Sequence, residues 1–488
     1  MQLTKPQSAK QQSHSKMVGP GEFRQENHYY NRLLNAQLHP LMGYFLNLSN
    51  DQIIQRYCIM FPDVRGEEVR KILSYKPRHL HWAGADLFHV TNQEGSRHML
   101  LIELNSCPSG QKSMPLLNEA DAHGSYRQLL ENSFLPLLKS LDLPKGDLAV
   151  VYDKNPMENS GYATTLADLT GESVHFVGFF DGETDESIRF VDGIMEVRGE
   201  DGRWHPIRAC LRYVTQRPWN RIPLSSRTLI YNPIIACLAG GRNKVVADKA
   251  YELFNEAHIE TGLKICVPET LRNATLDKIP WWIRRKGGHA VIKNPYSNAG
   301  QGVWTITNRD EWRQFLSLSH SYDRFLLQCL IGNAKWSSHT GVDTLYHVGT
   351  VPSAQREIFA FDLRFMAAHC GTEYRPVAAY ARRARQPLAD ELLPEYASWD
   401  FLGTNLSVKK EDGTWDTETD RLLLMDRKDF NLLGLGLDEL IEAFMQTVFS
   451  MVAIDQMAEK LTSKGDKFNV RLFRIFNDDP ALIREIRL

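Results

Sequence analysis

Hydrophobic and polar positions follow two different periods along this chain, and the switches between them mark its elements. From residue 29 to 75 apolar residues recur three or four apart, as in Leu33, Leu34 and Leu38 and again in Ile53, Ile54, Tyr57 and Cys58, which predicts helices ending before Pro77. Period two then takes over: Asp86 to Val90 alternates, Asn92 to Gly95 turns, and His98 to Leu104 is a second apolar strand, so a β-hairpin is expected. Residues 115–140 return to helical spacing. Beyond residue 147 come LAVVYD, VHFVGFF and IRACLRYV, short apolar strands separated by stretches that can hold helices, an α/β unit reaching about residue 235. Asn243 to Gly262 reads as a helix with Tyr251, Leu253, Phe254 and Ile259 turned inward and a glycine past its end. Ala290 to Ile292 is a short buried strand with Lys293 at its end, Pro295 to Gly302 is a Ser/Asn/Gly turn, and Val303, Trp304 and Ile306 resume the alternation. Asp438 is expected to cap a long helix with Leu440, Phe444, Val448 and Val452 on one face and Gly465 beyond its end.

Length and composition narrow the classes. A chain of 488 residues with 43% hydrophobic content has room for about three domains with sizeable cores. With 57 basic and 59 acidic residues nothing demands a nucleic acid or a membrane surface, so small molecules or peptides are the expected ligands. The seven cysteines are odd in number, scattered and never in C-x-x-C, which speaks against a disulfide framework or zinc site and fits a reducing cytoplasm. Residues 1–28 are rich in Gln, Ser and Lys without an apolar stretch, and are expected to be a mobile tail rather than a signal peptide or anchor.

Three constellations carry chemistry. In HAVIKNPYSNAGQGVWTI, Lys293 offers a compact charge to phosphate oxygens, while Gly300 and Gly302 let the backbone approach a ligand; an ordinary hairpin is the bland alternative. Neither a P-loop nor a Rossmann fingerprint occurs. In MLLIELNSCPSG, Glu103 and Asn105 project about 7 Å apart on one strand face, shared with Leu101. With Asp86 on the partner strand they form an oxygen set suited to magnesium, unless this is a solvated strand edge. In EIFAFDLRF, Ile358, Ala360, Asp362 and Arg364 share a face, followed by Arg382 and Arg383 in YARRAR. Such residues form either a structural ion pair or guanidinium forks for a transferring phosphate. Cys107 has no assignable His or Asp partner and reads as a small buried residue, and His81 and His289 as structural.

The order of these pieces resembles the ATP-grasp superfamily. NKVVADKAYELFNEAHIETGLKICVPET is similar to its opening segment, HAVIKNPYSNAGQGV to its second lysine strand and glycine loop, and FLLQCLIG to the strand lining its adenine slot. EIFAFDLRF, the paired arginines and LGTNLSV follow in order. The usual E-x-N-x-x-P metal motif does not follow residue 408 but stands upstream, as Asp86 and ELNSCPSG, which resembles the circularly permuted members, such as glutathionylspermidine synthetase-like carboxylate–amine ligases.

The resemblance implies an α/β (α+β) permuted ATP-grasp fold. It divides the chain into a tail (1–28), a helical segment with the metal-ligand hairpin (29–140), a pre-ATP-grasp-like α/β domain (141–235), nucleotide-binding subdomains (236–415) and a C-terminal helical segment (416–488). It implies ATP and Mg2+, and an acyl phosphate formed from a small-molecule or peptide carboxylate and displaced by an amine. Lys249 and Lys293 would hold phosphates, Ser297, Gly300, Gln301 and Gly302 would close over them, and Gln328 would line the adenine region. Asp86, Glu103 and Asn105 would bind the metal. Arg364 and one of Arg382 and Arg383 would stabilise the transferring phosphoryl group, with Asn405 a further candidate. A small-molecule kinase and a non-catalytic nucleotide-binding regulator are the alternatives.

Overall fold

A computed structural model describes residues 15–486 except 181–185, 216–220, 298–301, 341–343, 393–395, 410–414 and 464–466. Its strands run in chain order as β1 (Ser15–Val18), the hairpin β2 (Trp82–Thr91) and β3 (Arg97–Asn105), then β4 (Asp147–Tyr152), β5 (Val174–Gly178), β6 (Ile188–Val191), β7 (Ile194–Arg198), β8 (Trp204–Tyr213) and β9 (Leu229–Tyr231). β10 (Thr270–Ala274), β11 (Ala290–Lys293), β12 (Val303–Ile306) and β13 (Phe325–Gln328) follow, and then β14 (Tyr346–His347), β15 (Thr350–Pro352), β16 (Ile358–His369) and β17 (Tyr374–Arg383).

The first sheet has the order β1-β5-β4-β8-β7-β6, with β9 beside β8. β4 runs parallel to both β5 and β8, and Leu148 to Val151 are fully buried, as a strand covered on both faces must be. Residues 15–18, expected within a mobile tail, are instead an ordered strand paired with β5. The free edge of a parallel sheet presents unpaired N–H and C=O groups, and β1 satisfies them.

The second sheet, β10-β13-β11-β12, closes a small core of its own around Trp282, Ile292, Phe315 and Leu327. The third is built on β14-β2-β16-β17. β3 lies on one edge of β2, and β16 pairs with the other, so Asp86 faces Arg364 across the register although 278 residues separate them.

Behind the third sheet lies the helix Leu437–Leu461, packed against β2, β3 and β16 and against the helix Lys244–Ala257. Sequence periodicity assigns it one apolar face, but Ile441, Met445, Phe449 and Met451 are as fully buried as Leu440, Phe444, Val448 and Val452. An all-round apolar helix belongs inside a core. Asp438 is not its cap: it sits in the first turn and pairs with Arg56 at 2.7 Å, while the N–H of Gly436 donates to Glu439 Oε2 at 2.8 Å. Gly465 lies outside the described residues. The Lys244–Ala257 helix ends two residues short of Ile259, which is exposed in the following turn rather than turned inward. Among the described residues no helix is long and apolar enough to cross a membrane.

Candidate functional site

Between the second and third sheets lies a cleft whose cavity volume is about 140 Å³. Val291, Lys293, Val303 and Gln328 line one wall, and Phe88, Ile102, Glu103, Asn105 and Arg364 the other.

The wall from the second sheet holds one ammonium, Lys293. Lys293 closes β11 and is 5% exposed, with Nζ donating to Ile102 O at 3.4 Å. Burial lowers its pKa to about 8, with Glu103 opposing that shift and Lys244 adding to it. Lys244 is the residue that sequence reasoning missed. Asn243 caps the Lys244–Ala257 helix, its Oδ1 accepting from the N–H groups of Val245 and Val246 at 3.1 Å each. This cap fixes the first turn so that Lys244 Nζ reaches Glu103 Oε1 at 3.4 Å and donates to Ser297 Oγ at 3.1 Å and to Ser297 O at 3.2 Å. Lys249, the expected partner of Lys293, lies more than a turn further on and pairs with Glu252 at 2.9 Å in a different cavity. The capping asparagine was the available signal, since it places the start of the helix at the lysine after it.

The loop that follows Lys293 is anchored at its base. Lys293 pairs with Val303, Asn294 N donates to Gly302 O at 2.7 Å, and Lys244 N donates to Pro295 O at 2.8 Å. Gly302 has φ +68°, and a Cβ there would lie 2.4 Å from Asn294 Nδ2, so glycine is required on both counts. Gly300 and Gln301 lie outside the described residues.

The opposite wall holds the carboxylates and guanidiniums. A bulge in β3 between Leu101 and Glu103 breaks the strict alternation. Leu101 therefore turns into the main core, correcting its expected place beside Glu103, and Ile102, Glu103 and Asn105 all line the cleft. Asn105 Oδ1 accepts from Arg242 Nη1 at 3.1 Å, while its Nδ2 is buried without a partner.

Arg364 does not pair with Asp362 on its own strand. Its Nε and Nη2 donate to Asp86 Oδ1 and Oδ2 at 2.6 and 2.7 Å, and Arg382 forks onto Asp362 while reaching Asp86 Oδ1 at 3.1 Å. Burial would raise the Asp86 pKa, but Arg364 and Arg382 outweigh it and hold the carboxyl well below the usual carboxylate range. Both Asp86 oxygens are thus shared with guanidiniums, leaving Glu103 and Asn105 Oδ1 as the more open donors.

Arg383 points the other way. Its guanidinium lies over the Phe359 ring at 4.7 Å, because adjacent strand residues face opposite sides, so of the two arginines only Arg382 lines the cleft. Gln328 lines it and donates to Thr270 Oγ1 at 3.1 Å; Asn405 lies at the far rim and donates to Ser407 O at 3.0 Å. Cys107 is buried, its thiol donating to Arg212 O at 3.2 Å, and burial pushes its pKa up, the reverse of what a nucleophile needs. His81 is lowered to about 4 by burial and stacks on Tyr231.

Lys154, just past the end of β4, carries a pKa of about 7, lowered by burial and by the Arg242 and Arg364 guanidiniums with Asp153 opposing. Two ammoniums and two guanidiniums around Glu103 and Asn105, in a cleft with apolar sides, are equipped to hold a polyphosphate together with a hard divalent cation.

No protein-family model matches the chain, and no curated protein matches it. Among solved structures it is similar to a glutathione synthetase like-effector from Globodera pallida in apoform, at 9% identity and a TM-score of 0.39 over 71% of this chain and 85% of that one. It is also similar to a RimK domain protein ATP-grasp from Sphaerobacter thermophilus, at 13% identity and a TM-score of 0.27 over 50% of this chain and 92% of that one. A third is the D-alanine-D-alanine ligase from Coxiella burnetii, at 10% identity and a TM-score of 0.18 over 60% of this chain and 78% of that one. At such scores the likeness carries no argument for this chain.

Proposed function

We propose that the protein is an ATP-dependent carboxylate–amine ligase of the circularly permuted ATP-grasp type. The observation that carries this reading is that Lys293 on one wall of the cleft faces Glu103, Asn105 and Arg364 on the other, with Lys244 reaching Glu103 from the neighbouring helix. The position of the β2–β3 hairpin supports the permutation: it precedes the second sheet in the chain, yet it pairs with β16, which follows that sheet.

In this reading the γ-phosphoryl group of ATP passes to a substrate carboxylate, giving an acyl phosphate and ADP, and an amine then displaces phosphate at the acyl carbon. Such a transfer needs positioning and charge stabilisation more than covalent help from the protein. Lys293 and Lys244 hold the phosphates. Among the described residues the buried Lys293 ammonium has no carboxylate in contact, so phosphate oxygens would supply the counter-charge that its burial withholds. Glu103 and Asn105 Oδ1 fit Mg2+, which accepts one or two protein oxygens and takes the rest from phosphate and water. When bound, Mg2+ neutralises the charge that develops between the phosphates.

Arg364 faces the transferring group, oriented by its two-pronged contact with Asp86, and Arg382 with Asp362 holds that pair in place. Phe88, Ile102, Val291 and Val303 give the flat apolar sides a purine requires. Arg242, whose guanidinium reaches Asn105 Oδ1, adds positive charge at that end, which favours a carboxylate-bearing substrate there.

The test is phosphate release from ATP and Mg2+ over a panel of amino acids, short peptides and polyamines, followed by mass measurement of the product. A ligase yields phosphate and an amide only when both co-substrates are present, whereas a kinase yields a phosphoester and no free phosphate. Glu103→Gln is expected to abolish turnover with the unfolding midpoint shifted by only a few degrees. Absence of Mg2+-dependent ATP binding by calorimetry would remove the reading.

A further inference from the structure

At the opposite end of the first sheet from Lys154 stands a second cluster of donor groups that the cleft does not use. Asp147 opens β4, His175 is the second residue of β5 and His205 the second of β8. β4 lies between the other two and runs parallel to both, so three adjacent strands bring one donor each to the same end of the sheet. His175 Nε2 lies 3.1 Å from Asp147 Oδ2, and His205 Nδ1 lies 3.7 Å from the same oxygen. One ligand atom from each of the three residues falls within 4.8 Å of the others. Around a tetrahedral ion with bonds of about 2.0–2.2 Å, neighbouring ligand atoms stand roughly 3.3–3.6 Å apart, and the two separations to Asp147 Oδ2, 3.1 and 3.7 Å, lie a few tenths of an ångström either side of that range.

The groups around the cluster prepare it for a cation. His205 Nε2 lies 3.1 Å from Asp201 Oδ1, and Asp201 is itself held by the Arg203 N–H at 3.0 Å and by Arg203 Nε at 2.7 Å. A carboxylate on one ring nitrogen keeps the proton there and leaves the other nitrogen's lone pair free, the arrangement by which proteins orient metal-binding imidazoles. His205 Nδ1 then faces the Asp147 carboxylate at a distance too long for a hydrogen bond. His175 is buried, and its Nε2 is held on Asp147 Oδ2, the atom through which both would meet an ion. Its side chain is 1% exposed, while those of Asp147 and His205 are 46% and 31% exposed, which leaves one side open for water.

We propose that Asp147, His175 and His205 form a site for a divalent transition metal of the zinc class, with water in the remaining position, which ties together the starts of β4, β5 and β8. Two imidazoles and one carboxylate suit Zn2+ or Co2+ and are a poor set for Mg2+ or Ca2+, which prefer oxygen donors.

The test uses the full chain, prepared without a histidine tag and stripped of metal by a chelator, with Co2+ as the probe. We expect one equivalent of Co2+ to give the visible ligand-field bands of a low-coordinate site, Zn2+ to displace it, and Zn2+ to raise the thermal midpoint. His205→Ala and Asp147→Asn, both at partly exposed positions, should each weaken binding at least about tenfold and remove the Zn2+-dependent rise. Both variants retain all seven cysteines, so a signal that persists in them belongs to thiolates. The proposal is overturned if the wild type binds no stoichiometric Co2+, or if wild type and both variants bind it equally. In that case the cluster is a hydrogen-bonded His–Asp network only.

Discussion

Lys293 is an ammonium held almost dry, and its pKa of about 8 has a kinetic consequence. A lysine depressed from its ordinary value is protonated below the folded pKa and loses its charge as the pH rises through it, so its hold on phosphate weakens above about pH 8. We expect kcat/KM for ATP to fall along a limb near that pH, and Lys293→Arg, whose guanidinium does not titrate there, to lack the limb in a pH–rate profile. A second comparison separates the two lysines of the neighbouring helix. Lys244→Ala is expected to lower ATP turnover by about 10²–10³, the range typical for loss of one charge-stabilising group, while Lys249→Ala stays within about twofold; steady-state phosphate release reads both. At this scale the sequence was legible for residues whose chemistry and strand position coincide, namely Lys293, Glu103, Asn105 and Arg364. Lys244 was hidden because helical phase, not residue type, decides which lysine reaches the cleft.

Among the elements, the Lys244–Ala257 helix shows how a local signal sets a distant geometry. Asn243 caps it with bonds to two backbone N–H groups, and the same cap aims Lys244 at Glu103. Asn243→Ala is expected to cost about 1 kcal/mol of stability, measured by denaturant unfolding, and to raise KM for ATP well beyond what so small a loss would cause alone. β3 is the contrary case. Its alternation reads cleanly, yet the bulge opposite Asp86 turns Leu101 to the core and brings Ile102 to the cleft beside Glu103. A bulge depends on how the partner strand is paired, and β2 is held on its other edge by β16, far away in sequence. The ordered β1 follows the same logic, since nothing in Ser15–Val18 announces a strand without the β5 edge to receive it.

In the whole molecule, the Leu437–Leu461 helix joins the parts. Fully buried Asp455 on it accepts from the N–H groups of Arg78, His79 and Leu80 at 3.0, 2.7 and 2.8 Å and from the Tyr75 hydroxyl at 2.8 Å. It thereby fixes the turn that leads into β2 and so the placement of the hairpin that carries Glu103. Asp455→Ala would orphan three backbone donors at about 1–3 kcal/mol each. The expected outcome is a loss of about 3–5 kcal/mol in denaturant unfolding, together with faster hydrogen exchange across residues 76–82. By itself the sequence determined most of the elements, because hydrophobic period is a local property, and it supplied the lysine, arginine, carboxylate and amide side chains that the cleft gathers. Only the tertiary structure decided which lysine joins Lys293, which carboxylate stays open, which of two adjacent arginines faces inward, and that the closing helix is buried all round. Each of those depends on contacts between residues scores to hundreds of positions apart, and such contacts form only when the sheets assemble.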